Sequence, residues 1–424
     1  MLSRLTAFPF LMVLFDQALI SGARVLTSIV ITRFSAESTL EAGFYVSAFG
    51  FVVLFTTYQE SFVATPLNVF LPRQPEAERG GFFAGALRFS LGLIILSAII
   101  SAMVFVMLPV DRSVDRLMAL TVAWFVPLQL LREFGRRWLL ATQRHGVLIA
   151  LDVVATCVLL ALLGVIIGAG QVNALHAFVV VSMANIVFVI AWFLKHQQYF
   201  AVADKPKTPF SKVAWNYGRW VAGESTFAVL MLYFSQWYIS SSIDREEAGL
   251  YGTCLTLVFL TNPFLLGVTS FFSPRAATVF HESGWDALWR IAVKYSLIVA
   301  VVLTAIWMVI WLFGSSIMLV FGPEYPPAAP AAAWLSFGMV FLGLSYLLAI
   351  TLQTVGLPQI NAVASALGAI VVVVYSFLYL RDIHTAAYGF VLSAAIAFVT
   401  RLLALLILKP RLKRQSQATA IQSS

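Results

Sequence analysis

The sequence predicts an all-α integral membrane fold of about twelve transmembrane helices, arranged as two six-helix bundles that repeat in parallel. Three observations predict it. Apolar runs of spanning length recur from end to end, basic residues gather on alternate sides of those runs, and short motifs return at a near-constant offset.

Of 424 residues, 61% are hydrophobic and 11% charged, whereas a soluble domain carries about 45–50% apolar and about 25% charged residues. Each run approaches the roughly 20 residues a helix needs to cross a bilayer. Whole runs are apolar, as from Ala366 to Val374, which excludes barrel strands that alternate over about ten residues. The first stretch, residues 9–32, is too long for a signal peptide and carries Asp16 and Arg24, so it reads as a retained helix. The remaining helices are expected over residues 44–71, 82–109, 118–142, 147–169, 176–194, 220–243, 251–272, 291–313, 331–353, 361–380 and 386–408. This gives an N-terminal bundle over 1–200, a cytoplasmic linker over 201–215, a C-terminal bundle over 216–408 and a basic, disordered cytoplasmic tail over 409–424. No segment has room for a soluble catalytic domain, so an enzyme is not expected. Cys157 and Cys254, far apart in apolar runs, offer no metal spacing or disulfide framework and read as small buried hydrophobes.

With the N-terminus in the cytoplasm, inside segments hold fifteen Lys and Arg and outside segments five. Positive charge retained inside fixes orientation, so both termini are expected in the cytoplasm and the chain in the cell inner membrane. The net charge of +8 then meets anionic headgroups and needs no nucleic acid to explain it.

The two halves share marks. Ala42-Gly43-Phe44-Tyr45 opens the second helix and Pro72-Arg73 closes it; Ala248-Gly249-Leu250-Tyr251 and Pro274-Arg275 do the same for the eighth. Thr142-Gln143 near Gly146 corresponds to Thr351-Leu352-Gln353 near Gly356. The offsets are 206, 202 and 210 residues. An offset of six helices preserves orientation, so the repeats are parallel about the membrane normal, an arrangement that places a substrate path between halves.

These marks, together with the helix carrying Asp16, Gly22 and Arg24, Phe321-Gly322-Pro323-Glu324-Tyr325, and the stretch from Gln353 to Pro358, resemble the polysaccharide translocase, or O-antigen flippase, branch of the multidrug/oligosaccharidyl-lipid/polysaccharide (MOP) exporter superfamily. The resemblance runs from about Ala7 to Leu408. It implies two bundles around a central cavity. It also implies a lipid-linked oligosaccharide carried from the cytoplasmic to the outer leaflet, with membrane lipids, a polysaccharide polymerase and glycosyltransferases as partners.

Twelve charges lie within the expected spans, and an intramembrane charge costs at least about 2.5–3.5 kcal/mol on insertion scales. Asp16, Arg88, Arg137, Asp152, Glu224, Lys294 and Arg401 lie near the cytoplasmic end, where long side chains snorkel to the headgroups. Arg24, Glu60 and Arg132 lie deeper. Gln129, Arg132, Glu133 and Arg136 share one helical face, readable either as an interhelical salt-bridge cluster or as a cationic strip facing a cavity. Glu133 precedes Arg137 in the favourable i, i+4 order. Glu60, in a polar island, has Arg24 as a candidate partner or titrates during transport. Asp16 and Glu224 are approximate repeat equivalents suited to joining helices at a cytoplasmic gate. The pairs Gly81–Gly85 and Gly164–Gly168 have small-xxx-small spacing, which serves close helix packing.

Two functions remain in view. A flippase for a lipid-linked saccharide would use Arg24, Arg132 and Arg136 as substrate-binding, phosphate-facing residues, because guanidinium forks suit phosphate oxygens. A cation-coupled multidrug antiporter would instead need a buried acid, with Asp16, Glu60 and Glu224 as coupling or gating candidates. A membrane glycosyltransferase or polymerase is disfavoured by the lack of a large outer loop. No GxxxxGK[ST] phosphate loop occurs, and neither metal nor cofactor is expected.

Overall fold

The computed structural model describes residues 2–71, 75–107, 113–197 and 209–423. Pro72-Arg73 and positions 201–208 of the expected linker lie outside them. Thirteen helices follow in order: α1 (Leu2–Phe34), α2 (Ser38–Gln59), α3 (Thr65–Phe70), α4 (Glu76–Met107), α5 (Ser113–Ala141), α6 (His145–Gly168), α7 (Ala174–His196), α8 (Phe210–Ser242), α9 (Arg245–Val258), α10 (Asn262–Met318), α11 (Ala329–Thr354), α12 (Pro358–Tyr379) and α13 (Ile383–Ser423). No strand occurs among the described residues.

These helices make twelve crossings. A π-turn over Glu60–Ala64 joins α2 to α3 without breaking the rod. The stretch Arg245–Met318 is 74 residues long, about 110 Å at the 1.5 Å rise of a helix and too long for one crossing. It is broken at Gly284, where φ 72 and ψ −164 leave the helical region. Only glycine reaches that conformation without strain, so two crossing helices meet there. The eighth helix therefore does not close at Pro274-Arg275 as expected. Pro274 sits inside α10, and the chain stays helical until a residue without Cβ lets it turn.

The chain packs as two compact units, Met1–Val229 and Leu230–Ser424, and the boundary falls within α8. In the first, Val30, Leu67, Phe82, Phe134, Trp138 and Trp192 share a buried cluster, and Tyr45, Phe125 and Phe178 anchor a second. Gly85 fits against Phe210, whose Cβ would lie 2.8 Å from an added methyl, so this glycine of the first pair serves packing. Gly164 and Gly168 meet nothing within 4 Å; the second glycine pair has no helix against it. In the second unit α11 is the most buried helix, with Gly338 against Phe390 and Gly343 against Leu303 and Leu265. Ile95, Ile99, Val106, Leu312 and Ile407 stand exposed, the apolar exterior that lipid requires. Cys157 is on that exterior and not buried as expected, while Cys254 is buried.

The repeat marks occupy matching places. Tyr45 and Tyr251 are both buried in the first turns of α2 and α9. After α5, Gln143 N–H bonds to Leu140 O and Arg144 N–H to Leu139 O; after α11, Gly356 N–H bonds to Gln353 O and Leu357 N–H to Leu352 O. Both are Schellman turns, with Gln143 (φ 55) and Gly356 (φ 80) at the left-handed position. At the far end α13 runs helical to Ser423. Lys, Arg, Gln and Ala are good helix formers, and extending an existing helix needs no new nucleus.

Candidate functional site: a buried charge network in the first unit

Four crossings of the first unit meet at one cluster of charges. The shared face of α5 presents Gln129, Arg132, Glu133 and Arg136, and α1, α6 and α7 supply Asp16, Asp152 and Asn185. Arg136 is 4% exposed and holds three acids. Its Nη2 donates to Asp16 Oδ2 at 2.7 Å, its Nε to Asp152 Oδ2 at 3.0 Å and its Nη1 to Glu133 Oε2 at 3.1 Å. Arg132 donates through Nη2 to Asp152 Oδ1 at 2.6 Å and through Nη1 to Asn185 Oδ1 at 3.1 Å. Asn185 Nδ2 donates to Gln129 Oε1, and Gln129 Nε2 to Glu133 Oε1. Asp152, fully buried, takes one arginine on each oxygen.

The count of charges matters here. Three carboxylates (Asp16, Glu133, Asp152) sit on two guanidiniums (Arg132, Arg136). Asp16 Oδ1 is buried with no hydrogen-bond partner. A buried polar atom left without a bond is expensive, so that oxygen is the place in the cluster where a further bond would form.

Beside the network a cavity of about 40 Å³ opens among α1, α2, α5, α6 and α7, lined by Arg24, Thr27, Tyr45, Phe49, Gln129, Arg132, Thr156 and Asn185. Arg24 lies over the Phe49 ring at 5.2 Å and Arg132 over Phe188 at 5.5 Å, contacts in which the ring face attracts the cation.

The residues singled out in the sequence thus separate. Arg24 and Arg132 line a cavity, but one inside the first unit. Arg136, expected to face phosphate, is enclosed by carboxylates from three helices and does not line it. Glu60 pairs with Arg137 at 2.7 Å, both half-exposed, in place of Arg24. Glu133 therefore takes Arg136 at i, i+3 rather than Arg137 at i, i+4. Asp16 does join helices, through Arg136, and Glu224 stands half-buried on α8. Arg88 and Lys294 are exposed, as snorkelling requires. Arg401 is not: it is 4% exposed and donates to Ser345 Oγ, Ser365 Oγ and Asn361 Oδ1 across α11, α12 and α13. Asn185 was not singled out in the sequence; a lone amide inside an apolar helix was its only signal. Asp152 was placed among residues near the cytoplasmic end, although a short acid cannot snorkel and needed a partner.

No protein-family model and no curated protein matches the sequence. Solved structures do match. An inward-facing conformation of a multidrug resistance MATE family transporter of the MOP superfamily is 12% identical over 92% of this chain and 95% of that one, with TM-score 0.76. An outward-facing conformation of such a transporter is 13% identical over 96% and 95%, with TM-score 0.70. A MOP superfamily transporter from Pyrococcus furiosus, described by the words "reverse polarity of binding pocket suggests different function", is 13% identical over 95% of both chains, with TM-score 0.70. The fold is that of the MOP superfamily transporters. Twelve crossings in two repeats agree with it, and the likeness, one of fold, does not select the O-antigen flippase branch.

Proposed function

We propose that the chain is a multi-pass transporter that works by alternating access and couples export of small amphipathic molecules to an inward cation. The observation that carries the coupling is a carboxylate oxygen left without a bond in the buried network. Asp16 Oδ1 is its single unpartnered carboxylate oxygen among the described residues. One free oxygen suits a proton, whereas an oxygen-coordinated metal cation takes several ligands. Protonation of Asp16 would weaken its charge-assisted bond to Arg136 and loosen α1 from α5, the kind of local change that biases a two-state element. The arginines that favoured a phosphate ligand in the sequence are largely occupied by acids, which shifts the balance from the flippase to the antiporter. The fold likeness to multidrug resistance transporters supports the same substrate class.

Purified protein in proteoliposomes, loaded with a fluorescent organic cation and given a pH gradient, should show gradient-driven export with counterflow of protons. Asp16→Asn should retain folding and substrate binding and lose the dependence on the gradient. A folded Asp16→Asn protein whose export still follows the gradient would remove the basis for the proposal. The lipid-linked oligosaccharide reading rests on Arg24 and Arg132 at the cavity wall; flipping of a pyrophosphate-linked glycan in the same vesicles, without drug export, would favour it.

We place both termini in the cytoplasm of the inner membrane on the distribution of Lys and Arg. In a Cys157→Ser background, cysteines at exposed Ser242 and Arg381 should react with an impermeant thiol reagent from outside, and those at Ser211 and Ser283 should not. The reverse pattern would invert the map.

A further inference from the structure

The start of α8 carries a surface that neither the charge network nor the cavity uses. One face of its first turns packs inward. The Phe210 ring meets Phe82 and Phe89 edge-on, and its Cβ closes on Gly85. Ala214 is buried, and Gly218 presses on Ser61 and Phe62. The opposite face stands exposed. It presents Lys212, Trp215, Asn216, Arg219 and Trp220, at the i, i+3, i+4, i+7, i+8 spacing of one helical stripe.

The chemistry of this stripe is mixed. Trp215 and Trp220 are 58% and 54% exposed. Trp215 stacks on Phe62 at 6.1 Å, and the Arg219 guanidinium lies over the Trp220 ring at 5.6 Å. None of the ion pairs among the described residues includes Lys212 or Arg219. The nearest acids along the chain are Asp204 and Glu224. Depth then limits the partner. α8 has 33 residues, where roughly 20 cross the hydrocarbon core, and its apolar run begins near Trp220. The stripe therefore sits in the headgroup layer, where indole rings settle and exposed cations attract anionic lipid. A fully solvated face has no use for two indoles, and a face in the acyl region has none for Lys and Arg. A lipid headgroup uses both. Lys212 and Arg219 stand about 10 Å apart along the helix axis, so each reaches its own phosphate. We propose that this stripe binds anionic phospholipid, with Lys212 and Arg219 each holding a headgroup phosphate and Trp215 and Trp220 seated at the top of the acyl chains.

The test uses the full-length protein in neutral detergent, titrated with phosphatidylglycerol or phosphatidylcholine and read by native mass spectrometry. Phosphatidylglycerol adducts should appear at lower lipid concentration than phosphatidylcholine adducts. Lys212→Gln and Arg219→Gln should each raise the half-saturating phosphatidylglycerol concentration roughly fivefold, and the double variant roughly thirtyfold. Both side chains are exposed, so the fold should survive, and an unchanged melting temperature in lipid-free detergent checks that it does. Arg381→Gln, an exposed cation elsewhere, should leave binding unchanged. Equal binding of the two lipids, indifference to the double variant, or an equal loss with Arg381→Gln would overturn the proposal and leave only net charge. Competition by water-soluble glycerol phosphate as effective as by phosphatidylglycerol would overturn the lipid and reassign the stripe to free phosphate esters. None of these readings depends on transport, so the lipid site and the coupling proposal can fail separately.

Discussion

Replacing Arg136 with methionine is the sharpest test of the charge network. The substitution keeps most of the side chain's apolar length and removes the cation. Asp16 and Glu133 then lose the guanidinium bonded to them, and Asp152 loses one of its two arginines. Removing one partner of a buried ion pair costs about 3–5 kcal/mol. Arg136 is 4% exposed and holds three acids, so the upper part of that range applies. That is a large share of the about 5–15 kcal/mol that keeps a typical protein folded. Unfolding in mixed detergent and dodecyl sulfate micelles, followed by tryptophan fluorescence, reads the change directly because Trp138 and Trp192 lie in the core of the same unit. Adding Asp16→Asn should recover at least about 1 kcal/mol, since the two groups touch and contacting pairs are non-additive. An Arg136→Met protein as stable as its parent, or a double variant whose losses simply add, would refute the reasoning.

Other consequences follow from the same geometry. Glu60 and Arg137 are 40% and 34% exposed, so Glu60→Gln should change stability by less than about 1 kcal/mol; a loss of several kcal/mol in the same micelle titration would show that the pair is better shielded than its exposure indicates. Gly218 faces Phe62 and Ser61, where an added Cβ would lie 2.6 Å from the ring and 2.8 Å from a carbonyl oxygen, and Gly218→Ala should cost about 1–3 kcal/mol by overpacking. Gly164→Ala, in open space, should gain up to about 1 kcal/mol of helix propensity; equal melting shifts for the two would contradict the packing. Asp382 caps α13 by accepting from the Thr385 N–H and hydroxyl at 2.8 Å. Partial burial pushes its carboxyl up, but these bonds outweigh it and hold it below the ordinary aspartate value. A lowered folded value means that the contribution is present above the unfolded value of 3.8 and is lost as pH falls through the folded one. Asp382→Ala should therefore cost about 0.5–2 kcal/mol at neutral pH and flatten the acid limb of the stability profile, while an unchanged acid limb would show that the cap is idle.

The sequence by itself determined the membrane class, the twelve crossings and the parallel repeat. Apolar runs of bilayer length are a one-dimensional signal, because lipid demands that each helix satisfy its own backbone and show lipid an apolar surface. The shared face of Gln129, Arg132, Glu133 and Arg136 was equally legible, since i, i+3, i+4, i+7 spacing lies along one chain segment. Which way that face would resolve was not. Arg136 meets Asp16 across 120 positions and Asp152 across 16, and nothing local in either segment announces the other. Depth along a helix misassigned Arg401, because depth says how far a charge lies from water and not which polar groups neighbouring helices bring to it. The break at Gly284 went unread for a related reason: a glycine allows a turn, and packing decides where the chain takes one. Only the tertiary structure shows that Arg136 belongs to the acids, that one Asp16 oxygen is left without a bond, and that Arg24 and Arg132 line a cavity inside the first unit. Those are sums over charges from helices far apart in sequence, and the sums exist only once the helices have packed.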